Sequence, residues 1–555
     1  MTTHGAHTPV AWRGDLLAAG LTLLWLFIVR AALACPWGFA SVTAPDGLLQ
    51  AIPFNPDDTW SYLSWIVQYR DGQFGADLLY TTEPHPALLW VFPLWLIGVI
   101  AKVLSIPTLG AYWLVGLLGA GATVMLFRCA ARALGLEPSA VDWTTVILVL
   151  GSGASWLWHG ANRIGFAPPM AGGEFLYLDL FSSTAFTVYP YHTVSFALLA
   201  GLWWAVAVSE QRLSNREPAR LAMGWTTILA LLLGFSRPYE PLAFAAAYAL
   251  KSGWLWWKRS DNQTDFRACL IVMCVLAVGL LPGVVWNAYV SIQPVWSTFA
   301  QRSLALGLDR ISWLSAFGGL WLLALMGFLS RRRVALKPCL LPLTATLLAI
   351  VVLIGIPHAQ AKLASGLILG TALLGGWGAS AIVRWSRSLR GSTLAFACAA
   401  LSLTGLLGTP SMAMGLLAIR LASATTIDPA LNGIVDAIPA VTRGHRTVVL
   451  TDSLTGGVLP GWRGLRVYAG HFSLTHDFER KRDELAAAGF DLKAQTSSPQ
   501  TITPLLTSIV KRAAPDYALV KTDYKTVGTA LRHLGWQPVS RNSGWQLFRA
   551  PEATK

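Results

Sequence analysis

The sequence predicts an α-helical polytopic membrane protein with about eleven transmembrane helices, juxtamembrane helices in its first outer loop, and a C-terminal extracytoplasmic α/β domain. Three observations lead there. Of the 555 residues 54% are hydrophobic and 13% charged, whereas an ordinary soluble domain carries about a quarter charged. Apolar runs long enough to span a bilayer recur from residue 14 to residue 418. From about residue 428 the composition becomes that of an ordinary soluble protein.

The runs are 14–35, 109–131, 141–158, 191–209, 220–236, 239–257, 268–290, 312–330, 338–356, 362–384 and 392–418. Each approaches or exceeds the roughly 17–25 residues a crossing helix needs. A further stretch, 87–106, is also apolar, and charge decides its placement. If it lies along the outer surface, the loops holding Arg128/Arg132, Arg212/Arg216/Arg220, Lys258/Arg259/Arg267, Arg331/Arg332/Arg333/Lys337 and Arg384/Arg387/Arg390 all share one face. The positive-inside rule makes that face cytoplasmic, with the N-terminus inside and the C-terminal domain outside. Ala32-Leu33-Ala34 resembles a cleavage site, but residues 1–10 lack a basic leader, so the first run reads as a retained helix. The transmembrane module then occupies 1–420, with 36–108 as its first outer loop, and the soluble domain occupies 428–555.

The net charge of +14 is scattered over short loops, which is a topology signal and excludes a nucleic-acid footprint. The 26 tryptophans suit many membrane–water interfaces. Six cysteines lie mostly in apolar runs without metal-site or disulfide spacing. In the soluble domain 446–451, 465–468 and 517–520 read as strands and 477–488 as a helix, a small α/β unit. Gly456-Gly457 lacks the flanking residues of a phosphate loop and reads as a plain turn.

Asp57 and Asp58 open the first outer loop as an adjacent carboxylate pair. Ionisable groups near a bilayer are costly, and such a pair can supply a base and an electrostatic or metal partner. An aromatic-polar helix over 59–70 follows and is expected to lie along the surface. Glu83-Pro84-His85-Pro86 then forms a rigid turn, since proline fixes its own backbone and restrains the residue before it. The outer loop 159–190 adds Glu174, and His192 stands at the start of the next helix. Arg237 sits between two spans, with Glu240 as local partner or a phosphate as functional one. His358 and Lys362 lie at another outer turn, where a lysine can simply snorkel. Together these cations would face the acidic loop, an arrangement suited to deprotonating a nucleophile while a phosphate departs. Gly470-His471 is either a structural turn or, with Arg480, a segment folded back over the membrane site.

With its acidic pair in the first outer loop, surface helix, proline turn (Glu83-Pro84-His85-Pro86) and juxtamembrane helix, the sequence resembles the GT-C type glycosyltransferases. That class includes protein O-mannosyltransferases, the lipid A aminoarabinose transferase and the oligosaccharyltransferase catalytic subunit. Thr81-Thr82-Glu83-Pro84-His85, Gly151-Ser152-Gly153, Arg237-Pro238-Tyr239 and the stretch from Val467 to Lys481 carry a resemblance to bacterial members, which implies a bacterial inner membrane. The resemblance implies a polyprenyl-phosphate-linked sugar donor, a glycan, lipid or protein acceptor, and transfer on the extracytoplasmic face. It makes Asp57 or Asp58 the general base. Tyr62 follows Asp58 by four residues, where the family often has an aromatic residue three after its pair, so the choice between the aspartates stays open. The family's Lys-Pro-Pro lysine is absent, and its phosphate contact passes to His85, Arg237 or Lys362. The full donor- and substrate-binding set is Tyr62, Glu83, His85, His192, Arg237, His358, Lys362 and His471. No cofactor is required, although Asp57, Asp58 and Glu174 offer oxygens that suit Mg or Mn. The alternative is a transporter or lipid flippase, which would ordinarily show repeated halves.

Overall fold

The structure, a computed structural model, describes residues 9–34, 56–151, 189–258, 263–304, 310–330, 339–355, 360–388, 429–442, 444–490 and 498–551. The membrane module contains α1 (Pro9–Ala34), α2 (Pro56–Arg70), α3 (Phe92–Val103), α4 (Thr108–Ala133) and α5 (Pro138–Leu150). It continues with α6 (Pro190–Ser214), α7 (Arg220–Ser236), α8 (Tyr239–Trp257), α9 (Gln263–Ser291) and α10 (Pro294–Leu304). Then come α11 (Arg310–Ser330), α12 (Leu340–Gly355), α13 (Gln360–Ser365) and α14 (Ile368–Ser388).

Three described helices are long and apolar enough to cross a membrane: α4, α6 and residues 264–291 of α9. This is a multi-pass design, as expected from the apolar runs. The expected total of eleven crossings goes beyond these helices, because 392–418 and the second half of 141–158 lie outside the described residues. Helix α3 has 12 residues. At about 1.5 Å per residue it rises roughly 18 Å, well short of a roughly 30 Å hydrocarbon core. It is one of the described apolar helices too short to count among those three, as is α5.

Where α4 meets α6, backbones touch. A Cβ on Gly116 would stand 2.3 Å from the Pro190 Cβ, and one on Gly119 would stand 2.4 Å from Thr193 Oγ1. Thr193 Oγ1 donates to the Gly116 carbonyl at 2.8 Å, and Thr123 Oγ1 donates to the Thr193 carbonyl at 3.0 Å. Small residues and hydroxyls therefore fix the first turn of α6 against α4, as is common between membrane helices.

The structure departs from the sequence expectations in three places. The stretch 290–311, which falls between the apolar runs 268–290 and 312–330 and is expected as an outer loop, contains α10. The helix expected over 362–384 breaks between Ser365 and Ile368 into α13 and α14. Helix α2, expected along an open surface, is buried along most of its length, because the C-terminal domain covers it.

That domain runs through α15 (Pro429–Val435), β1 (Val441–Thr442), β2 (His445–Arg446), β3 (Val448–Leu450), α16 (Ser453–Arg463), β4 (Arg466–Val467) and α17 (Phe478–Leu485). It ends with α18 (Pro499–Ala513), β5 (Tyr517–Lys521), α19 (Lys525–His533), β6 (Gln537–Arg541) and β7 (Trp545–Arg549). The main sheet has the order β4-β3-β5-β7-β6, parallel through β4, β3 and β5 and antiparallel beyond. The strands expected near 446–451, 465–468 and 517–520 are present. Gly456-Gly457, however, lies inside α16, whose N-cap Asp452 accepts from the Thr455 amide at 3.0 Å. An aspartate N-cap satisfies an otherwise orphaned amide and starts the helix there.

Helix α16 packs directly on α2. Trp60 is 1% exposed, and a Cβ on Gly461 would stand 2.4 Å from the Trp60 carbonyl oxygen. The Val467 amide donates across the boundary to the Leu79 carbonyl at 2.8 Å. One hydrophobic cluster takes in Trp60, Leu63, Ile66 and Leu94 of the module with Val449, Leu459, Val467 and Leu519 of the domain. The domain is thus packed onto the first loop rather than tethered beside it.

Candidate active site

Asp57 and Asp58 stand in the first turn of α2, where the positive end of the helix dipole favours a carboxylate. The Asp57 side chain lies outside the described residues. Asp58 is 35% exposed at its side chain, the accessible carboxylate of a largely buried neighbourhood. The Tyr189 hydroxyl donates to its Oδ2 at 3.3 Å, and His471 Nε2 stands 3.5 Å from its Oδ1. The imidazole contact is close enough for charge–dipole attraction but does not have hydrogen-bond geometry.

From Asp58 an aromatic path leads into the bundle. Tyr62 packs edge-on to Tyr189, with ring centroids 6.0 Å apart, and lies 4.3 Å from Tyr191. Burial, then the neighbouring Tyr191 and Asp58, push the Tyr62 hydroxyl well above the usual phenol range, so it stays protonated. Tyr191 lies 4.0 Å from the His192 ring. Arg237 Nη1 donates to His192 Nε2 at 3.2 Å, which places the His192 proton on Nδ1. Arg237 closes α7 and is 5% exposed, with Nε 2.7 Å from Glu240 Oε1. Glu240 also accepts from Ser365 Oγ at 3.3 Å, across the break between α13 and α14. Lys362 Nζ sits 5.9 Å over the Tyr239 ring.

The structure therefore brings Asp58, Tyr62, His192, Arg237, Lys362 and His471 to one end of the bundle. Arg237 has the local partner Glu240 and sits beside His192. His358 and Glu174 lie outside the described residues. Of the expected metal ligands only the Asp58 side chain is described. No group of three His, Cys, Asp or Glu placed to hold a metal occurs among the described residues.

Glu83 and His85 hold the proline turn in shape. His85 Nδ1 donates to the Glu83 carbonyl at 2.6 Å, and Nε2 lies against Asp77 Oδ1 and the Leu78 amide. Asp77 is also paired with Arg466 of the domain. Burial opposes its carboxylate, but His85 and Arg466 win and hold its pKa below the ordinary value. Glu83 behaves alike: burial opposes it, while Lys481 at 2.6 Å and the Thr81 hydroxyl hold it down. Lys481 is fully buried, and that burial lowers its pKa despite Glu83. Lys481 Nζ also donates to Thr81 Oγ1 at 3.0 Å, so the buried ammonium has two oxygen acceptors and the pair is ionised.

Several members of this arrangement were not singled out in the sequence. Tyr189 is visible only as part of Tyr189-Pro190-Tyr191-His192, where proline at the first helical position signals a fixed entry angle. Lys481 and Arg466 look like ordinary surface charges in sequence. Arg302 falls in a stretch expected to be a loop; its guanidinium bonds the Phe472 and Thr475 carbonyls and pairs with Glu479 at 3.1 Å.

No protein-family model matches the sequence, and no curated protein matches it. Solved structures do. The Archaeoglobus fulgidus oligosaccharyltransferase, solved with a tethered acceptor peptide, is 10% identical with a TM-score of 0.54, covering 96% of this chain and 74% of that one. The oligosaccharyltransferase AglB of the same organism, in complex with an inhibitory peptide and a dolichol-phosphate, is 9% identical with a TM-score of 0.52 and the same coverage. The arabinofuranosyltransferase AftD from Mycobacteria is 15% identical with a TM-score of 0.52, covering 98% of this chain but 40% of that one. At such identities the likeness is one of fold: this chain has the fold of the GT-C glycosyltransferases.

Proposed function

We propose that the protein is a membrane glycosyltransferase that moves a sugar from a polyprenyl-phosphate-linked donor to a cell-envelope glycan, lipid or protein acceptor on the extracytoplasmic face. The observation that carries this reading is Asp58: a partly exposed carboxylate at a helix N-terminus, held by the Tyr189 hydroxyl, at the bundle end that also gathers Arg237, His192 and Lys362. The dolichol-phosphate bound by the archaeal oligosaccharyltransferase supports a lipid phosphate as the carrier. The transporter or flippase alternative is not favoured, since the fold is that of sugar-transferring enzymes.

In the proposed inverting displacement, Asp58 takes the proton of the acceptor hydroxyl. The hydroxyl oxygen forms a bond to the anomeric carbon from the face opposite the lipid phosphate. The bond from that carbon to the phosphate oxygen breaks, and the lipid phosphate leaves with the electron pair. Arg237 and Lys362 supply positive potential toward it, while Tyr62 and Tyr191 line the way between acid and base halves. Positioning and charge stabilisation carry most of the rate in such a reaction. If Mg or Mn takes part, the Asp58 carboxylate is the described oxygen donor; the proton transfer does not require the ion.

The test is Asp58→Asn beside Asp57→Asn in the full chain, reading sugar transfer and cell-envelope glycan. Loss of a general base costs roughly 10²- to 10⁴-fold. Asp58→Asn is expected to show that loss and Asp57→Asn a smaller one. Full transfer by well-expressed Asp58→Asn would overturn the reading.

A further inference from the structure

His471 comes from the C-terminal domain, over 400 residues beyond Asp58 in sequence, and its side chain is 2% exposed. Its Nδ1 accepts from the Ser473 backbone amide at 3.2 Å, with the Ser473 hydroxyl at 3.0 Å. A backbone amide can only donate, so Nδ1 carries no proton and the ring proton lies on Nε2. Nε2 is buried and makes no hydrogen bond among the described residues; it lies 3.5 Å from Asp58 Oδ1.

The turn that presents this ring is fixed from all sides. Gly470 meets α16 so closely that a Cβ would stand 2.4 Å from the Gly456 carbonyl oxygen and 2.9 Å from Tyr80 Cδ1. The Gly470 amide donates to Thr475 Oγ1 at 3.1 Å, and the Thr475 amide donates back to the His471 carbonyl at 2.9 Å. Arg302 of α10 bonds the Phe472 and Thr475 carbonyls, and Thr298 lies 3.3 Å from His476 Nδ1. The Tyr80 ring meets the imidazole edge-on at 5.8 Å and Phe472 stacks on it at 5.0 Å. So much fixation of one tautomer, aimed at one carboxylate, is more than a surface turn needs.

We propose that His471 is a positioning residue supplied by the C-terminal domain: its Nε2–H donates to Asp58 Oδ1 and, with the Tyr189 hydroxyl on Oδ2, sets the plane in which the carboxylate meets the acceptor hydroxyl. Catalytic hydrogen bonds often tighten only in the Michaelis complex, so 3.5 Å is a reasonable starting separation. Docking of the domain then completes the site. The role of Asp58 rests on the glycosyltransferase reading; the contact itself does not.

Two arms test this on the full chain. In the first, His471→Ala and His471→Gln are compared by transfer kinetics and thermal unfolding. A side-chain amide of Gln can replace the Nε2–H donor. A hydrogen bond to a charged group is worth about 10- to 100-fold, so His471→Ala should lose about that factor in kcat at unchanged donor KM, and His471→Gln should recover most of it. Wild-type kcat in His471→Ala would overturn the proposal. So would equal losses in both variants with matching falls in Tm, which would make the ring a packing element. The second arm needs no activity: nitrogen-15 imidazole spectra, assigned through His471→Gln. A neutral ring protonated at Nε2, whose signal moves in Asp58→Asn, supports the contact. An Nδ1–H tautomer, or a signal indifferent to Asp58→Asn, overturns it. If the wild-type chain transfers no sugar, the functional reading fails and the second arm alone decides the contact.

Discussion

Breaking the Glu83–Lys481 pair should cost more from the glutamate side than from the lysine side. Lys481 Nζ is fully enclosed, bonded to Glu83 Oε2 at 2.6 Å and Thr81 Oγ1 at 3.0 Å, and lies 4.9 Å over the Tyr468 ring. Glu83 keeps 30% of its side chain in contact with solvent. Glu83→Gln therefore strands a buried ammonium, whereas Lys481→Met leaves a carboxylate that water still reaches. Removing one partner of a fully buried pair costs about 3–5 kcal/mol; the partial exposure of Glu83 reduces this to about 2–3 kcal/mol. Lys481→Met should cost about 1 kcal/mol, chiefly the ring contact, and the double variant no more than Glu83→Gln alone. The readout is amide hydrogen exchange at Val467, whose amide bonds the Leu79 carbonyl across the boundary. At about 1.4 kcal/mol per tenfold, Glu83→Gln should speed exchange roughly 30- to 150-fold and Lys481→Met roughly fivefold. Equal acceleration by both, or none by Glu83→Gln, would refute the reasoning that Lys481 burial sets the cost.

Two further outcomes follow from the same boundary. Asp77 and Glu83 both have folded pKa values below their ordinary 3.8 and 4.5. Their contribution to docking is thus complete above about pH 4.5 and lost as pH falls through the lowered values; Val467 exchange, corrected for its intrinsic rate, should accelerate only in that acid window. The lowered Lys481 pKa is a penalty relieved only on the alkaline side and does not act there. Gly461→Val places a side chain against the Trp60 carbonyl, and overpacking of about 1–3 kcal/mol should loosen the domain and lower transfer, with Trp60 burial followed by quenching; an unchanged transfer rate would count against docking as a requirement.

The apolar runs announced the bundle because a membrane helix must satisfy its backbone internally and face lipid with its side chains, and both demands act within one segment. The Asp57-Asp58 pair and the Arg237 turn were legible because charge near a bilayer is costly. What the sequence did not disclose is pairwise and long-range. Glu83 and His85 read as site residues from composition, but the partners that occupy them, Lys481 and Asp77, are known only once β4, α17 and the first loop meet. Helix α2 read as a surface helix because its sequence mixes aromatic and polar residues; Gln68 is buried there because it pairs with the Asp77 backbone at 2.9 and 3.0 Å. Nothing local encodes such a closure.

That same division bears on how the site works. Asp58 alone, on the first loop, is a carboxylate at a helix end. Its orientation depends on Tyr189 from α6 and His471 from the soluble domain, two segments that reach it by independent packing contacts. The α6 contact is fixed by backbone approach at Gly116 and Gly119. The domain contact is held by the apolar packing of α16 on α2 and, beside it, by ion pairs, Arg466–Asp77 and Lys481–Glu83, and a backbone bond from Val467 to Leu79. The α4–α6 contact, made of backbone approach and threonine hydroxyls, is described without a titrating group, whereas the domain's ion pairs titrate. Any condition that opens the site should act first through the domain, withdrawing His471 while Tyr189 stays. Acid or a broken Glu83–Lys481 pair should then reproduce the kinetic signature of His471→Ala, a lower kcat at constant donor KM, before the bundle itself unfolds.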